Sequence, residues 1–189
     1  MTLAALETEK PLELIEKQLM PALDKVGKGF EKGTLFLPQL MMSADAAKEA
    51  FAVIQERMAA TGGAPEKRGK VVLATVKGDI HDIGKNIVKV LLDNYAFEVI
   101  DLGKDAAPEA ILAAVRESGA KLVGLSALMT TTVRAMEETI ELLHKEAPGV
   151  KVMVGGAVLN PEYAQRIGAD YYGKDAMAAV TCALQALEN

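Results

Sequence analysis

The chain has 189 residues, of which half are apolar and a quarter are charged, and its formal net charge is -5 at pH 7. This composition is ordinary for a folded globular protein and excludes a largely disordered chain. The acidic balance, with no basic cluster beyond Lys67, Arg68 and Lys70, argues against a nucleic-acid partner, because binding to phosphates needs clustered cations.

Cysteine content and hydropathy limit the compartment. Cys182 is the only cysteine, which excludes an intrachain disulfide and a cysteine-rich metal site. The N-terminus lacks a basic start followed by an apolar run, so no secretory signal is expected. No stretch approaches the roughly 20 apolar residues of a membrane span. We therefore expect a cytoplasmic protein with no membrane partner.

Apolar residues recur at steps of three and four through residues 1–60, which is typical of amphipathic helices. Pro21 lies inside the first of two stripes, where it removes a backbone hydrogen bond, so a kink or break is expected there. Residues 29–38 are predicted to form the turn between the stripes, with Pro38 in the first turn of the second helix. The stripes are Leu12, Ile15, Leu19, Leu23, Val26 and Phe30, then Leu40, Ala44, Ala47, Phe51, Ile54 and Met58.

The sequence TGGAPEKRG at residues 61–69 is rich in Gly, Pro and charge, which predicts a linker between a helical domain, residues 1–60, and a second domain, residues 70–189. In the second domain, short apolar runs alternate with amphipathic stretches of helical length. This pattern predicts an α/β fold with a doubly wound, parallel five-stranded sheet. The predicted strands are residues 71–76, 97–102, 122–125, 151–154 and 170–172.

Three unusual segments follow strands of the predicted sheet. Residues 77–84, KGDIHDIG, contain one of only two histidines; residues 126–132 read SALMTTT; and Gly155 and Gly156 follow the fourth strand. In a doubly wound sheet, ligands bind outside the carboxyl ends of the strands. We therefore expect the three segments to share one edge of the sheet.

His81 and Asp79 have the residue types of a metal ligand and its supporting carboxylate. A neutral imidazole binds transition metals well, and its second nitrogen usually donates to a carboxylate that fixes the tautomer. Gly84 would let the backbone begin a helix where a bulky ligand comes close. An isolated D-x-H is more often a surface loop or a structural pair, so this motif alone does not establish a metal site.

Taken together, the segments resemble the cobalamin-binding family. The family pattern of D-x-H-x-x-G, S-x-L and G-G is present as Asp79, His81 and Gly84, then Ser126 and Leu128, then Gly155 and Gly156. The stretch TVKGDIHDIGKNIV is similar to that of cobalamin-dependent methionine synthase and of the small corrinoid proteins of methanogens and acetogens. The resemblance implies a flavodoxin-like or Rossmann-like B12-binding domain that holds cobalamin or a related corrinoid, with methylcobalamin as the methyl-carrying form.

The resemblance also implies roles for individual residues. His81 would be the protein's ligand to cobalt, and Asp79 and Thr132 would complete a proton-linked triad. Thr132 stands where methionine synthase has a serine, so the hydroxyl is kept on a bulkier side chain.

The nucleotide tail of the cofactor would lie beside the sheet. Ser126 would hydrogen bond to its buried base, Leu128 would pack on that base, and Gly155 and Gly156 would leave room for the tail. Further cofactor contacts are expected from Gly78, Ile80, Asp82, Ile83, Met129, Thr130, Tyr172 and Gly173.

Residues 11–51 resemble the helical cap that covers the upper cobalt face in the same family. Phe30 and Leu37 would shield the cobalt-bound methyl group, with Leu40 and Met41 nearby. Core packing against the sheet domain is the ordinary interpretation of apolar residues on these stripes, and both roles can hold at once. The family's cap is usually a four-helix bundle, whereas only about 60 residues precede the first strand here. We therefore expect a shortened cap with exposed apolar surface, which could support a dimer.

The implied function is transport of a methyl group on cobalt between a donor and an acceptor. A carrier of this kind is not a complete enzyme, so methyltransferase domains or subunits and a reductive reactivation partner are expected. The alternatives are the cobalamin subunit of an adenosylcobalamin-dependent mutase and a B12-based sensor. The helical cap argues against the first, and the sequence shows no DNA-binding segment for the second.

Overall fold

The computed structural model describes residues 2–6, 14–60 and 68–187. The chain divides into two units, Met1–Lys67 and Arg68–Asn189. Most of the predicted linker, residues 61–67, lies outside the described residues, as does Leu12 of the first predicted stripe.

The first unit is helical. Its elements are α1, Thr2–Ala5; a π-helical turn, Ile15–Leu19; α2, Met20–Glu31; and α3, Leu37–Ala60. Pro21 occupies the first turn of α2, directly after the π-helical turn. A proline lacks the N–H that a continuous helix would use, so the chain changes helical form before it. The predicted kink or break at Pro21 is thus found as a change of helical form just before it, since the chain is helical on both sides.

The turn between α2 and α3 is shorter than predicted, because residues 29–31 are still helical and Leu37 already is. A Cβ at Gly29, inside α2, would lie 2.8 Å from Leu35 Cδ1, so the Leu35 side chain packs closely over this position. The left-handed conformation of Gly33, with φ of 70°, follows the end of the helix. The Phe36 N–H donates to Gln39 Oε1 at 2.7 Å, which satisfies a free donor as α3 begins.

Several residues of the predicted apolar stripes are buried within the part of the helices that the structure describes. Leu23 on α2 and Leu40, Ala47 and Ile54 on α3 are buried. Ile54 also packs with Leu6 and Leu14, which both precede α2 in the chain. These four members of the stripes therefore point inward, as the helical periodicity predicts.

The second unit contains a five-stranded, all-parallel sheet in the order β2-β1-β3-β4-β5. Its strands are β1, Lys70–Thr75; β2, Glu98–Asp101; β3, Leu122–Ser126; β4, Lys151–Gly155; and β5, Tyr171–Gly173. Its helices are α4, Ile83–Asn94; α5, Pro108–Ser118; α6, Val133–Glu146; α7, Pro161–Arg166; and α8, Ala176–Leu187. The predicted doubly wound α/β fold is confirmed. Within the described ranges, no helix has both the length and the apolar character that crossing a bilayer requires.

Helices cover both faces of the sheet. On one face, side chains of α5 and α6 such as Ile111 and Met136 pack on Val72 and Val123 of the central strands. On the other face, α4 contacts β1 and β2, while α8 contacts β3, β4 and β5. Because both faces are covered, the central strands are apolar almost without alternation. Their polar residues occur where the strands end.

Candidate cofactor site

The loop after β1 begins with a tight turn. The Asp79 N–H donates to the Val76 carbonyl at 3.0 Å, and Gly78 between them has φ of 83°, which are the features of a type II turn with glycine at its third position. The Gly78 N–H donates to Asp105 Oδ1 at 2.7 Å, and the Asp105 N–H donates to the Asp79 carbonyl at 3.0 Å. The turn is therefore fixed to the loop after β2.

Asp79 is the centre of the hydrogen-bond network at this edge, and it is fully buried. Its Oδ1 accepts from the backbone N–H of His81 at 3.0 Å and lies 2.8 Å from His81 Nδ1. Its Oδ2 accepts from the N–H groups of Leu128 at 2.7 Å and Met129 at 3.3 Å, and from Thr132 Oγ1 at 2.8 Å. One carboxylate thus joins the segments after β1 and β3.

These donors keep the Asp79 carboxyl ionised. Burial by itself raises its pKa, but the N–H groups of His81 and Leu128, together with the His81 ring and the Thr132 hydroxyl, outweigh burial and hold the pKa well below its usual range. An ionised carboxylate cannot donate a hydrogen bond, so Nδ1 of His81 carries the ring proton. In the neutral ring the lone pair is then on Nε2, the nitrogen available to a metal.

The surroundings of His81 are apolar and open. The His81 side chain is 46% exposed, and the neighbouring residues Ile80, Ile83 and Leu128 are all exposed although their side chains are large and apolar. A Cβ added at Gly84 would meet nothing within 4 Å. An exposed apolar surface around a metal-binding nitrogen fits a flat, largely apolar ligand that carries a metal ion. The residues present therefore fit a corrinoid.

Ser126 ends β3, and its Oγ lies 3.0 Å from Thr75 Oγ1 at the end of β1. The fold itself favours glycine at the two positions that were predicted to leave room for the nucleotide tail. A Cβ at Gly155 would lie 3.1 Å from the Gly173 carbonyl oxygen, and a Cβ at Gly156, which has φ of 136°, would overlap the Ala127 carbonyl oxygen. The fold itself therefore requires glycine at position 156.

The remaining predicted residues of this edge are spread along it. Asp82 is half-buried and precedes α4 without capping it through its side chain. Thr130 is exposed, and the Tyr172 hydroxyl donates to the Leu159 carbonyl at 3.0 Å. Gly173 is buried. A Cβ at this position would lie 3.3 Å from atoms of Ala179 on α8. Contact of these residues with a cofactor stays a prediction.

The four predicted residues of the helical unit differ in exposure. Phe30 and Leu37 are half-buried, Leu40 is buried, and half of the Met41 side chain is exposed. Leu40 is thus part of the protein interior, which is the alternative that the sequence left open. The predicted shielding of a methyl group by these residues stays a prediction.

Sequence reasoning missed several residues that build the edge. Asp105, which holds Gly78, and Thr75, which pairs with Ser126, are far from their partners in sequence. Lys85 is buried and donates to Asp101 Oδ1 at 2.6 Å, which anchors the first turn of α4 to the end of β2. The available signal was a polar residue at the end of an apolar strand, at Thr75 and Asp101.

The sheet is doubly wound, and its carboxyl edge carries an imidazole that a carboxylate orients within an apolar surface. These features define an α/β module that binds a metal-containing cofactor. A family model described as B12 binding domain matches residues 69–181, and a second model of that description matches residues 1–55. The chain belongs to the B12-binding domain family, and its cofactor is cobalamin or a related corrinoid.

Relatives and solved structures agree with this assignment. Dimethylamine corrinoid protein 2 of Methanosarcina mazei is 44% identical, with 98% of this chain and 89% of the relative covered. The methanol:cobalamin methyltransferase complex of Methanosarcina barkeri contains a chain 34% identical, with a TM-score of 0.81 over 99% of this chain and 72% of that one. A cobalamin-binding protein from Desulfitobacterium hafniense is 33% identical, with a TM-score of 0.82 over 97% and 87%.

Proposed function

We propose that this protein carries a methyl group on the cobalt of a bound corrinoid and that Nε2 of His81 is the protein's ligand to the metal. The observation that carries the proposal is the contact of 2.8 Å between Asp79 and Nδ1 of His81. This contact supports a ring proton on Nδ1, and Nε2, within an exposed apolar surface, would then be free to coordinate. A bound corrinoid would supply a cobalt centre that accepts and releases a methyl group.

The contribution of the protein is control of the imidazole and its proton. Asp79 stays ionised because of its five hydrogen-bond contacts, so it strengthens His81 as a ligand while Nδ1 keeps its proton. If the imidazole were released from a bound cobalt, the same carboxylate would still lie beside the ring. Thr132, through its contact with Oδ2, holds the carboxylate in this position.

Ser126 and the adjacent glycines would receive the lower part of the cofactor. Ser126 is half-buried where the carboxyl end of β3 meets solvent, which suits a hydroxyl that bonds to the nucleotide base. Leu128 is 42% exposed, so it offers apolar surface for that base to pack on. Gly155 lies next to Ser126 in the sheet and keeps this region free of side chains.

The relatives support a place in one-carbon metabolism. Dimethylamine and monomethylamine corrinoid proteins and a methanol:cobalamin methyltransferase complex are among them. We propose that this chain acts with a separate methyltransferase that takes the methyl group from a methylated one-carbon compound of this kind, and with a reductive partner that restores inactive cobalt. The helical unit before the α/β unit supports a methyl carrier over a mutase subunit.

The proposal is tested by anaerobic reconstitution of the protein with cobalamin, followed by pairing with purified methyltransferases for methylamines and for methanol. Each pair receives its methyl donor, and the absorption spectrum of the corrinoid is followed. We expect methylation with one of these partners and a large loss of rate in His81→Gly. Failure to bind any corrinoid would refute the cofactor assignment, whereas binding without methylation by any partner would refute the methyl-carrying role.

A further inference from the structure

Four residues of neighbouring strands form one row at the carboxyl edge of the sheet. Thr75 is in register with Ser126, Ser126 with Gly155, and Gly155 with Gly173. Residues in register on parallel strands have the same side-chain direction. A Cβ on Gly173 would meet Ala179 of α8, so the row faces the side of the sheet that α4 and α8 cover.

The row consists of two hydroxyls followed by two positions without side chains. Thr75 is fully buried, Ser126 is half-buried, and their oxygens are 3.0 Å apart. Beyond Ser126 the surface is bare backbone at Gly155, which is also half-buried. A flat ring lying over Gly155 would therefore present its edge to the Ser126 hydroxyl.

The direction of the Thr75–Ser126 hydrogen bond follows from burial. Among the residues that the structure describes, Ser126 Oγ is the one side-chain or backbone acceptor that the Thr75 hydroxyl contacts. If Ser126 donated to Thr75, the buried Thr75 hydrogen would have no acceptor, and an unsatisfied buried donor costs about 1–3 kcal/mol. With Thr75 as the donor, that hydrogen is satisfied. The hydrogen of half-buried Ser126 is then left to donate to a group at the edge.

We infer that Thr75 is a positioning residue that fixes Ser126 as a hydrogen-bond donor, so that the site favours corrinoids whose lower base has an acceptor nitrogen on its edge. Benzimidazoles and purines have such a nitrogen, whereas a phenol used as a lower base does not. A donor that faces a ring edge without an acceptor stays unsatisfied, which penalises the wrong base. This inference rests on the proposed corrinoid function and extends it to the choice of cofactor.

The test compares a benzimidazole-containing corrinoid with one that has a phenol as its lower base. Dissociation constants of both are measured by absorption titration for the wild type and for Ser126→Ala, Thr75→Val and Thr75→Ser. The informative quantity is the ratio of the two constants in each variant relative to the wild type, because intrinsic differences between the two corrinoids cancel. Thr139→Val is the matched control, since Thr139 is a fully buried threonine on α6 that donates to the Ala135 carbonyl at 2.6 Å.

We expect the preference for the benzimidazole form to fall about 5-fold in Ser126→Ala and about 3-fold in Thr75→Val, the range of one neutral hydrogen bond. Thr75→Ser should restore it, and Thr139→Val should leave it unchanged. A lost packing contact alone would weaken both corrinoids equally and leave the ratio constant. An unchanged ratio in Thr75→Val would overturn the inference while leaving corrinoid binding established. Binding of neither corrinoid by the wild type would instead refute the proposed function itself.

Discussion

The Oδ1 atom of Asp79 contacts both the backbone nitrogen of His81, at 3.0 Å, and its ring nitrogen Nδ1, at 2.8 Å. One oxygen therefore fixes the loop that carries the imidazole as well as the orientation of the ring. The second oxygen accepts from the segment after β3, through Leu128, Met129 and Thr132. Since these contacts lie entirely within the protein, the imidazole is oriented before a cofactor binds, and the cost of ordering it is not added to binding.

Replacement of Asp79 by asparagine tests this preorganisation. An amide has one acceptor oxygen and no charge, so it cannot serve the five donor contacts of the carboxylate. We expect corrinoid affinity to fall about 10–100-fold, as is usual for the carboxylate behind a metal-binding histidine. The measurement is an equilibrium titration followed by absorbance.

Asp170→Asn is the control for that change. Asp170 also accepts a backbone N–H, from Val152 at 2.9 Å, and an ammonium, from Lys151 at 2.7 Å, but it lies directly before β5, beside the start of β4, at the opposite edge of the sheet. The Asp170→Asn substitution should lower the stability of the fold without changing corrinoid affinity. Equal losses of affinity in the two variants would contradict a specific role for Asp79.

Thr132 is expected to act through its hydroxyl. The Thr132 Oγ1 atom lies 2.8 Å from Asp79 Oδ2 and equally far from the Met129 carbonyl oxygen, and the charged carboxylate is the stronger acceptor. Thr132→Val should reduce the free energy of unfolding by about 1–2 kcal/mol and weaken corrinoid binding several-fold. Thr132→Ser should retain most of both properties. Chemical denaturation and titration of the two variants would distinguish the hydroxyl from the methyl group, and equal behaviour of valine and serine would contradict this role.

A substitution at Gly84 should affect fold stability and corrinoid affinity differently. It lies in the first turn of α4, where a Cβ would meet no protein atom, and alanine is more favourable in a helix than glycine by up to about 1 kcal/mol. Gly84→Ala should therefore leave the melting temperature of the apoprotein unchanged or higher, while corrinoid affinity falls. Gly149→Ala, at another open glycine, should leave affinity unchanged. Undiminished affinity in Gly84→Ala would show that no ligand approaches this position closely.

The buried Lys85–Asp101 ion pair should make stability depend on pH. Lys85 is 2% exposed and Asp101 is 17% exposed, with 2.6 Å between them. Burial raises the pKa of Asp101, but hydrogen bonds from Lys85, the Gly103 N–H and Lys89 outweigh it, so the net pKa is lowered. A lowered folded-state pKa stabilises the fold above the unfolded pKa of about 3.9, and this contribution is lost as the pH falls through the folded value.

Asp101→Asn should consequently reduce the free energy of unfolding by about 2 kcal/mol near pH 6, and the difference from the wild type should shrink below about pH 4. Urea denaturation at several pH values measures it. Glu138→Gln, which disrupts an exposed pair with Arg134, should cost less than about 1 kcal/mol at any pH. A gap for Asp101→Asn that stayed constant with pH would contradict the assigned ion pair.

The sheet could be predicted well because its strands are buried on both faces. An apolar run such as residues 122–125, with stretches of helical length on either side, is typical of a covered parallel strand, and β3 ends only one residue later. The turn of the helical unit was predicted less well, because a glycine such as Gly29 within a helical pattern usually indicates a turn. In the structure Gly29 lies inside α2 with the Leu35 side chain packed closely over it, and that contact cannot be seen in a linear pattern.

The candidate site could likewise be predicted from the sequence only in part. Asp79 and His81 are two residues apart, so their pairing follows from local geometry. The contacts of Gly78 with Asp105 and of Thr75 with Ser126 join residues 27 and 51 positions apart, and they depend on the strand order. The glycines show a further limit, since Gly156 is required by the Ala127 carbonyl whether or not a ligand is near.

The coordination of cobalt by His81 is tested most directly by electron paramagnetic resonance of the bound corrinoid in its cobalt(II) state. The unpaired electron couples to the nitrogen on the lower axis, so histidine labelled with nitrogen-15 should change each triplet splitting to a doublet. The change should persist in His144→Gln and disappear in His81→Gly. A spectrum that does not respond to labelled histidine would show that the metal has another lower ligand, and the proposed roles of Asp79, His81 and Thr132 would then be wrong.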